Sequence, residues 1–397
     1  MNFSTSEIAQ LRADTPGTAQ CNHLNNAGAA LMPAPVVDTM CEHFRLEARI
    51  GGYEASAQEA ERCNAVYGSI ARLIGAQQRE IALVENATVA WQMAFHALAF
   101  EPGDRILTAR SEYGANYVSY LQKARQTGAK IEIIPDRADG ATDPAALEAM
   151  IDDRVKLIAI THIPTNGGLI NPAEEIGAVA RKHGIPYLLD ACQTAGQMPV
   201  DVEKLGCDFL SVTGRKFMRG PRGTGFLYVR ESWLDHLEPP FIDHFSAEWT
   251  STDGYTLRND AGRFENWENA YALRLGLGVA AEYALDIGLE RIQVRAFALA
   301  DELRAGLNQI SGIQVHDLGS ARCAIVSFAH DTIPAESFKL AAADSGVNIS
   351  ISSASSTRLD TEARNLPDLV RVSPHYYNTE EEIAQFLDVV KAACLNG

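Results

Sequence analysis

From residue 81 onward, short apolar runs alternate with stretches whose apolar positions recur at helical spacing. The runs at 81–84, 105–108, 131–134, 157–161, 187–190, 209–212 and 225–229 are nearly continuous, the pattern of strands buried on both faces. Amphipathic stretches at 88–100, 118–127, 145–151 and 173–183 separate them and read as helices. This alternation predicts an α/β fold with a mostly parallel sheet covered by helices on both faces. A breaker-poor stretch from 269 to 287, continuing to about 310, predicts a long helix leading into a second, smaller domain. Strands of that domain are expected at 324–328, 347–351 and 370–373, and a last helix at 379–393 opens with the capping-box pair Thr379 and Glu382.

Composition narrows the function classes. A chain of 397 residues, 46% hydrophobic and 21% charged, is long enough for two domains with a large core. Its 51 acidic against 34 basic residues give a net charge of −17, which disfavours nucleic acid and anionic membranes as partners. No run of 18 apolar residues exists, so a membrane span is not expected. The seven cysteines, at 21, 41, 63, 192, 207, 323 and 394, form no C-x-x-C pair, and residues 1–16 lack the apolar region of a secretory leader. A cytoplasmic protein with reduced cysteines is the simplest expectation. His162 and His375 flank the segments discussed next, but no histidine spacing suggests a metal site.

The most informative segment runs from 187 to 228. Asp190 ends an apolar strand, where open α/β sheets bind ligands, and Lys216 follows in TGRK ahead of the glycine-rich stretch 220–225. Pyridoxal phosphate needs a lysine for its aldehyde, an acid for its ring nitrogen and a phosphate site. Lys216 supplies the amine if burial or neighbouring positive charge lowers its pKa. Asp190 keeps the ring nitrogen protonated, and Gln193 reaches the phenolic oxygen. The phosphate is expected at the N-terminus of the helix opening at Ala87 and Thr88, with Thr213 and Arg215 completing its site. A glycine-flanked lysine is ordinarily a solvated surface residue, and a strand-end aspartate is often a cap. Their joint arrangement carries the reading.

The motifs DACQ at 190–193, TGRK at 213–216 and GPRGTGFLY at 220–228 resemble the cofactor signature of class V aminotransferases. That fold-type I pyridoxal-phosphate family includes the cysteine desulfurases. NNAG at 25–28 resembles its substrate-side strand and ENAT at 85–88 its phosphate-binding turn. SEYGAN at 111–116 resembles the stretch whose aromatic residue stacks on the cofactor, which gives that role to Tyr113. RVSPHYYNT at 371–379 resembles the motif whose arginine, here Arg371, binds the substrate carboxylate. The resemblance implies a large domain at 21–265 with a mostly parallel seven-stranded sheet. It also implies a smaller α+β domain at 266–397, joined by the segment 1–20, and a homodimer with a shared active site. In the family a G-T-x-N stretch reaches across the dimer to the partner's phosphate; it reads here as GRFENWEN at 262–269, without the threonine. Asn266 and Trp267 are both open as its replacement.

Cysteine desulfurases of this family carry a mobile cysteine in the loop before the carboxylate arginine. The corresponding stretch, ISISSASSTR at 349–358, contains serines and no cysteine. Cys192 and Cys323 read as buried packing residues, so transfer of sulfur to an enzyme cysteine is disfavoured. GGY at 51–53, SEYG at 111–114 and RKFMRG at 215–220 resemble the C–S lyases of the family, and isopenicillin-N epimerases share this style of motif. The expected reaction is β-elimination from a cysteine-like amino acid, begun when the substrate amine displaces Lys216. Transamination, epimerisation and a non-catalytic scaffold are the alternatives. Asn26 is expected on the substrate side and Arg358 as a contact for a distal anionic group; Tyr53 is open to a place in the site or its partner's and equally to ordinary packing.

Overall fold

In the computed structural model, which describes residues 3–396, the seven apolar runs do pair into one sheet. Its strands are β1 (Ile81–Val84), β2 (Arg105–Thr108), β3 (Lys130–Ile133), β4 (Val155–Thr161), β5 (Tyr187–Asp190), β6 (Phe209–Thr213) and β7 (Gly225–Val229). They lie in the order β1-β7-β6-β5-β4-β2-β3. β7 is antiparallel to β1 and β6, and the other pairings are parallel. Two apolar layers cover the sheet, one including Ile70, Ile74, Ile176 and Leu275, the other Trp91, Phe95, Tyr120 and Phe264. Burial on both faces explains why the central strands are continuously apolar.

Two helices that follow strands matter for the site. α1 (Ala87–Ala97) begins where expected and stops three residues short of the predicted end, because Leu98 turns to extended backbone ahead of Pro102. α2 (Gly114–Thr127) starts four residues before its predicted limit and ends at Gly128, whose φ of +79° accommodates the left-handed turn.

The predicted long helix divides into α3 (Tyr271–Ile287) and α4 (Leu289–Leu307). The hinge is Gly288, with φ +91°, a value that an L side chain would resist. Leu275, Leu277 and Ala281 of α3 belong to the core of the large sheet, whereas Ala296, Leu299 and Leu303 of α4 belong to a second core with Phe328, Val370 and Val372. That second core lies against β8 (Ile313–Val315), β9 (Val326–His330), β10 (Ser350–Ser352) and β11 (Leu369–Val372), an antiparallel sheet in the order β8-β9-β11-β10. Helices α5 (Ala335–Asp344) and α6 (Glu380–Asn396) accompany it.

The predicted strand at 347–351 is two strands with different partners. Val347 and Asn348 pair in parallel with Asn22 and His23, while β10 joins β11. The run at 324–328 becomes a strand only from Val326; Cys323 precedes it, with its N–H donating to Gly168 O at 2.7 Å. An isolated bridge from Asn25 to Ser373 continues the attachment of the N-terminal segment to the smaller sheet.

Candidate active site

Asp190, the last residue of β5, is 5% exposed. Its Oδ1 accepts the Cys192 N–H at 2.9 Å and its Oδ2 accepts Asn116 Nδ2 at 3.0 Å. Lys216 sits in the irregular connection between β6 and β7 and is buried. Burial pushes its pKa down; the Asp190 carboxylate opposes this, and Arg215 and Arg371 reinforce it. A lysine desolvated in this way has a larger neutral, nucleophilic fraction. Its Nζ lies 5.9 Å from the ring centroid of Tyr113, the residue before α2.

Tyr113 is held by Glu112, a residue to which the sequence patterns assigned no role. Glu112 Oε1 accepts the Tyr113 N–H at 2.8 Å, Thr161 Oγ1 at 2.5 Å and Asn116 Nδ2 at 3.0 Å, and Oε2 accepts Thr108 Oγ1 at 3.0 Å. Burial raises its pKa to about 7, with the hydrogen bonds pulling down and the Asp190 charge pushing up. A charged residue inside the otherwise neutral motif at 111–116 was the one signal that could have found it.

The start of α1 forms a cradle. Asn86 Oδ1 caps the Val89 N–H at 3.0 Å, and the first N–H groups of a helix have no intrahelical partner. Gly225 of β7 passes so close that a Cβ there would lie 2.6 Å from Val212 O and 2.9 Å from the Asn86 carbonyl carbon. Only glycine lets strand and helix start meet in this way. Thr213, buried at the end of β6, is the register partner of Gly225, which itself approaches Asn86 at the start of α1. A cleft lined by Glu85, Thr224, Asn266 and Asn269 opens beside it. Trp267 is half exposed, and its N–H donates to Asp243 Oδ2 at 2.7 Å.

Arg371, on β11, is buried. NH1 donates to Thr165 Oγ1 at 2.8 Å and to Thr165 O at 3.2 Å, NH2 donates to Asn25 Oδ1 at 3.4 Å, and Nε has no partner. Burial, then the charge of Arg215, lowers its pKa to about 10. Gln193 Nε2 reaches Thr165 Oγ1 at 3.3 Å and Ala27 O at 3.2 Å, while its Oε1 is buried without a partner. Thr165 thus joins Gln193 to Arg371, a link invisible in the sequence. Arg215 donates to the carbonyl of Gly28, in the turn that also carries Asn25.

Two of the expected substrate contacts have protein partners here. Asn26 Nδ2 donates to Ser373 O at 2.7 Å and Oδ1 accepts the Tyr377 hydroxyl at 2.5 Å, so its amide straps the N-terminal segment to the C-terminal motif. Asn25, its neighbour, contacts Arg371 instead. Arg358 has 65% of its side chain exposed and pairs with Glu362 at 2.9 Å, one helical turn away. It is a surface residue. The serine-rich stretch before it packs over the start of α2, where a Cβ on Gly114 would lie 2.4 Å from Ser355 O. His162 and His375 are buried, and burial lowers their pKa values to about 4 and about 3, so both stay neutral. Tyr53 is exposed and shares a groove with Phe44 and Trp267.

Residues 22–386 match the aminotransferase class-V family. A probable cysteine desulfurase of Methanothermobacter thermautotrophicus is 30% identical over 379 residues, covering 94% of each chain. The apo structure of a cysteine desulfurase from Thermococcus onnurineus superposes with a TM-score of 0.91 at 28% identity, over 98% of each chain. The cystine C–S lyase C-DES, solved with its reaction product cysteine persulfide, shares the fold with a TM-score of 0.86 at 22% identity, over 95% of this chain and 99% of its own.

Proposed function

The chain belongs to the aminotransferase class-V family, and on that premise we propose that it is a pyridoxal-phosphate enzyme eliminating a sulfur group from a cysteine-type amino acid. The observation that carries this reading is the pairing of a desolvated Lys216 with Arg371, a buried guanidinium bonded to a carbonyl, a hydroxyl and an amide oxygen instead of a carboxylate. An amino acid offers what this pair lacks: an α-proton for a neutral lysine and a carboxylate for a guanidinium, whose planar fork binds it in bidentate fashion.

The residues fit the cofactor. Lys216 would take its aldehyde and Asp190 its ring nitrogen, with Tyr113 against the ring and Gln193, whose buried Oε1 lacks a partner, at the phenolic oxygen. Ala87, Thr88, Thr213 and Arg215 would hold the phosphate. When bound, pyridoxal phosphate supplies an aldehyde for the amine and a protonated ring that draws electrons from the α-carbon. Lys216 Nζ acts as the base for the α-proton. Arg371 fixes the carboxylate, so that the Cα–H bond and the lysine keep one relative orientation. Breaking the Cβ–S bond releases the sulfur group, and water converts the remaining unsaturated amino acid to a keto acid and ammonia.

Relatives of this chain are named cysteine desulfurases, and a cysteine-type substrate follows from that kinship. Elimination without sulfur transfer to the enzyme is supported by the serine-rich stretch at 353–357, and by Cys192 and Cys323. Both thiols are buried, which raises the pKa of Cys192 far above its ordinary value and that of Cys323 to about 12. All seven cysteines are free, which suits a cytoplasmic setting. The exposed groove of Phe44, Tyr53 and Trp267 suits a homodimer that completes the site from both protomers. The division at 1–20, 21–265 and 266–397 belongs to the same reading, with the N-terminal attachment reaching Asn25 and the core changing over within α4.

The test is to load the protein with pyridoxal phosphate and assay keto acid and ammonia from a panel of S-substituted cysteines. Sustained release of both without an added keto-acid acceptor is expected, and Lys216→Ala should abolish it together with the absorption band of the lysine-bound cofactor. A single turnover that restarts only with added keto acid would sink elimination in favour of transamination.

A further inference from the structure

Arg219 stands three residues after Lys216 and combines two costly features. Its φ is +59°, a left-handed value that favours glycine, and its side chain is 2% exposed. Its partners are neutral. Nε donates to Leu31 O at 2.8 Å, NH2 donates to Thr15 Oγ1 at 2.6 Å, and NH1 donates to the Tyr376 hydroxyl. The guanidinium lies 4.4 Å from the ring centroid of Tyr377 and 5.2 Å from that of Tyr376.

These partners come from distant parts of the chain, and the lysine connection is tied to the same regions again through its backbone. The Arg219 N–H donates to Lys216 O at 2.8 Å, and the Ala30 N–H donates to Arg215 O at 2.9 Å. Neutral His375 donates from Nε2 to Phe217 O at 2.8 Å. The segment carrying His375, Tyr376 and Tyr377 continues directly from β11, which bears Arg371. The Arg219 side chain therefore clamps the Lys216 connection to both the N-terminal segment and the continuation of the Arg371 strand.

We propose that Arg219 is a positioning residue for Lys216, its guanidinium locking the lysine connection at a set distance from the Arg371 strand. The inference rests on the function proposed above, in which Lys216 is the base and Arg371 the carboxylate site. A left-handed backbone and a buried cation in no salt bridge among the described residues persist where the surroundings over-determine them, and such places cluster at sites needing fixed geometry. A flexible four-carbon amine gains its precision from the backbone beneath it.

The experiment compares Arg219→Lys and Arg219→Gly with the wild type. Lysine keeps the charge but lacks the planar fork, while glycine relieves the backbone and removes the clamp. Both should lower kcat at least about tenfold with KM changed less than about threefold, the signature of lost transition-state geometry. The pH at which the absorption band of the lysine-bound cofactor titrates should move, and apoprotein should take up pyridoxal phosphate more slowly. Thr15→Val and Tyr376→Phe, each removing one acceptor, should shift the same readouts in the same direction by less, and they carry the test if the Arg219 variants do not fold. A glycine variant with wild-type kcat and titration, or variants that lose thermal stability alone, would overturn the inference. If the wild type itself forms no lysine-bound cofactor, with Lys216→Ala as the blank, the failure lies with the proposed function instead.

Discussion

Glu112 and Asp190 share one donor: Asn116 Nδ2 lies 3.0 Å from Glu112 Oε1 and 3.0 Å from Asp190 Oδ2. Two buried carboxyls are thereby coupled, one at the strand end and the other beneath Tyr113. Like charges this close disfavour joint ionisation, and the Glu112 pKa rises to about 7, chiefly through burial.

The sign of the resulting pH effect follows directly. Because the folded pKa of Glu112 lies above its ordinary 4.5, the folded state prefers the protonated carboxyl. Its contribution is fully present below about pH 4.5 and is lost as pH rises through about 7. Glu112→Gln should therefore flatten the decline in apoprotein stability across that window, measured by thermal unfolding at a series of pH values. An unchanged profile would mean that Glu112 is already ionised throughout.

Asn116→Ala removes the shared donor and leaves Asp190 with the Cys192 N–H as its remaining hydrogen bond. A charge-assisted hydrogen bond contributes roughly 1.5–3 kcal/mol, so pyridoxal phosphate affinity should fall about tenfold or more. Equilibrium dialysis of the apoprotein measures this, and affinity equal to the wild type would remove Asn116 from the site.

Arg371→Lys keeps the charge but replaces a planar fork with a point charge. The KM for amino-acid substrates should rise about tenfold to a hundredfold, from the roughly 1.5–3 kcal/mol of one charged hydrogen bond. Steady-state kinetics checks it. Arg358→Ala is the contrast: its exposed pair with Glu362 predicts kcat/KM within about twofold of wild type and a stability change below about 0.5 kcal/mol.

Cys323→Ala separates elimination from sulfur transfer to the enzyme. The thiol is buried and its pKa is raised to about 12, so the variant should retain activity and lose about 1 kcal/mol of stability through the small cavity left behind. Loss of sulfur release with the fold intact would make Cys323 a participant.

Elements that obey a local rule could be read from the chain without its fold. The central sheet strands were legible because strands buried on both faces are apolar at nearly every position, whereas the edge strand Lys130–Ile133 is half exposed. Asp190, Lys216 and the start of α1 could be singled out along the chain because each lies within a short, contiguous motif. Whatever depends on pairing between distant segments was settled only in three dimensions. Val347 and Asn348 left the strand they were read with because Asn22 and His23 offered them a parallel partner. Asn26 is tied to Ser373 and Tyr377, some 350 positions away, while its neighbour Asn25 contacts Arg371. Arg358 was exposed because it lies on the outer face of a helix whose Asp360 and Thr361 are buried, and Glu112 gained importance because Thr108, Thr161 and Asn116 surround it. Periodicity and motif report neighbours along the chain, whereas a side chain's hydrogen-bonding capacity is spent on whatever the fold brings within about 3 Å.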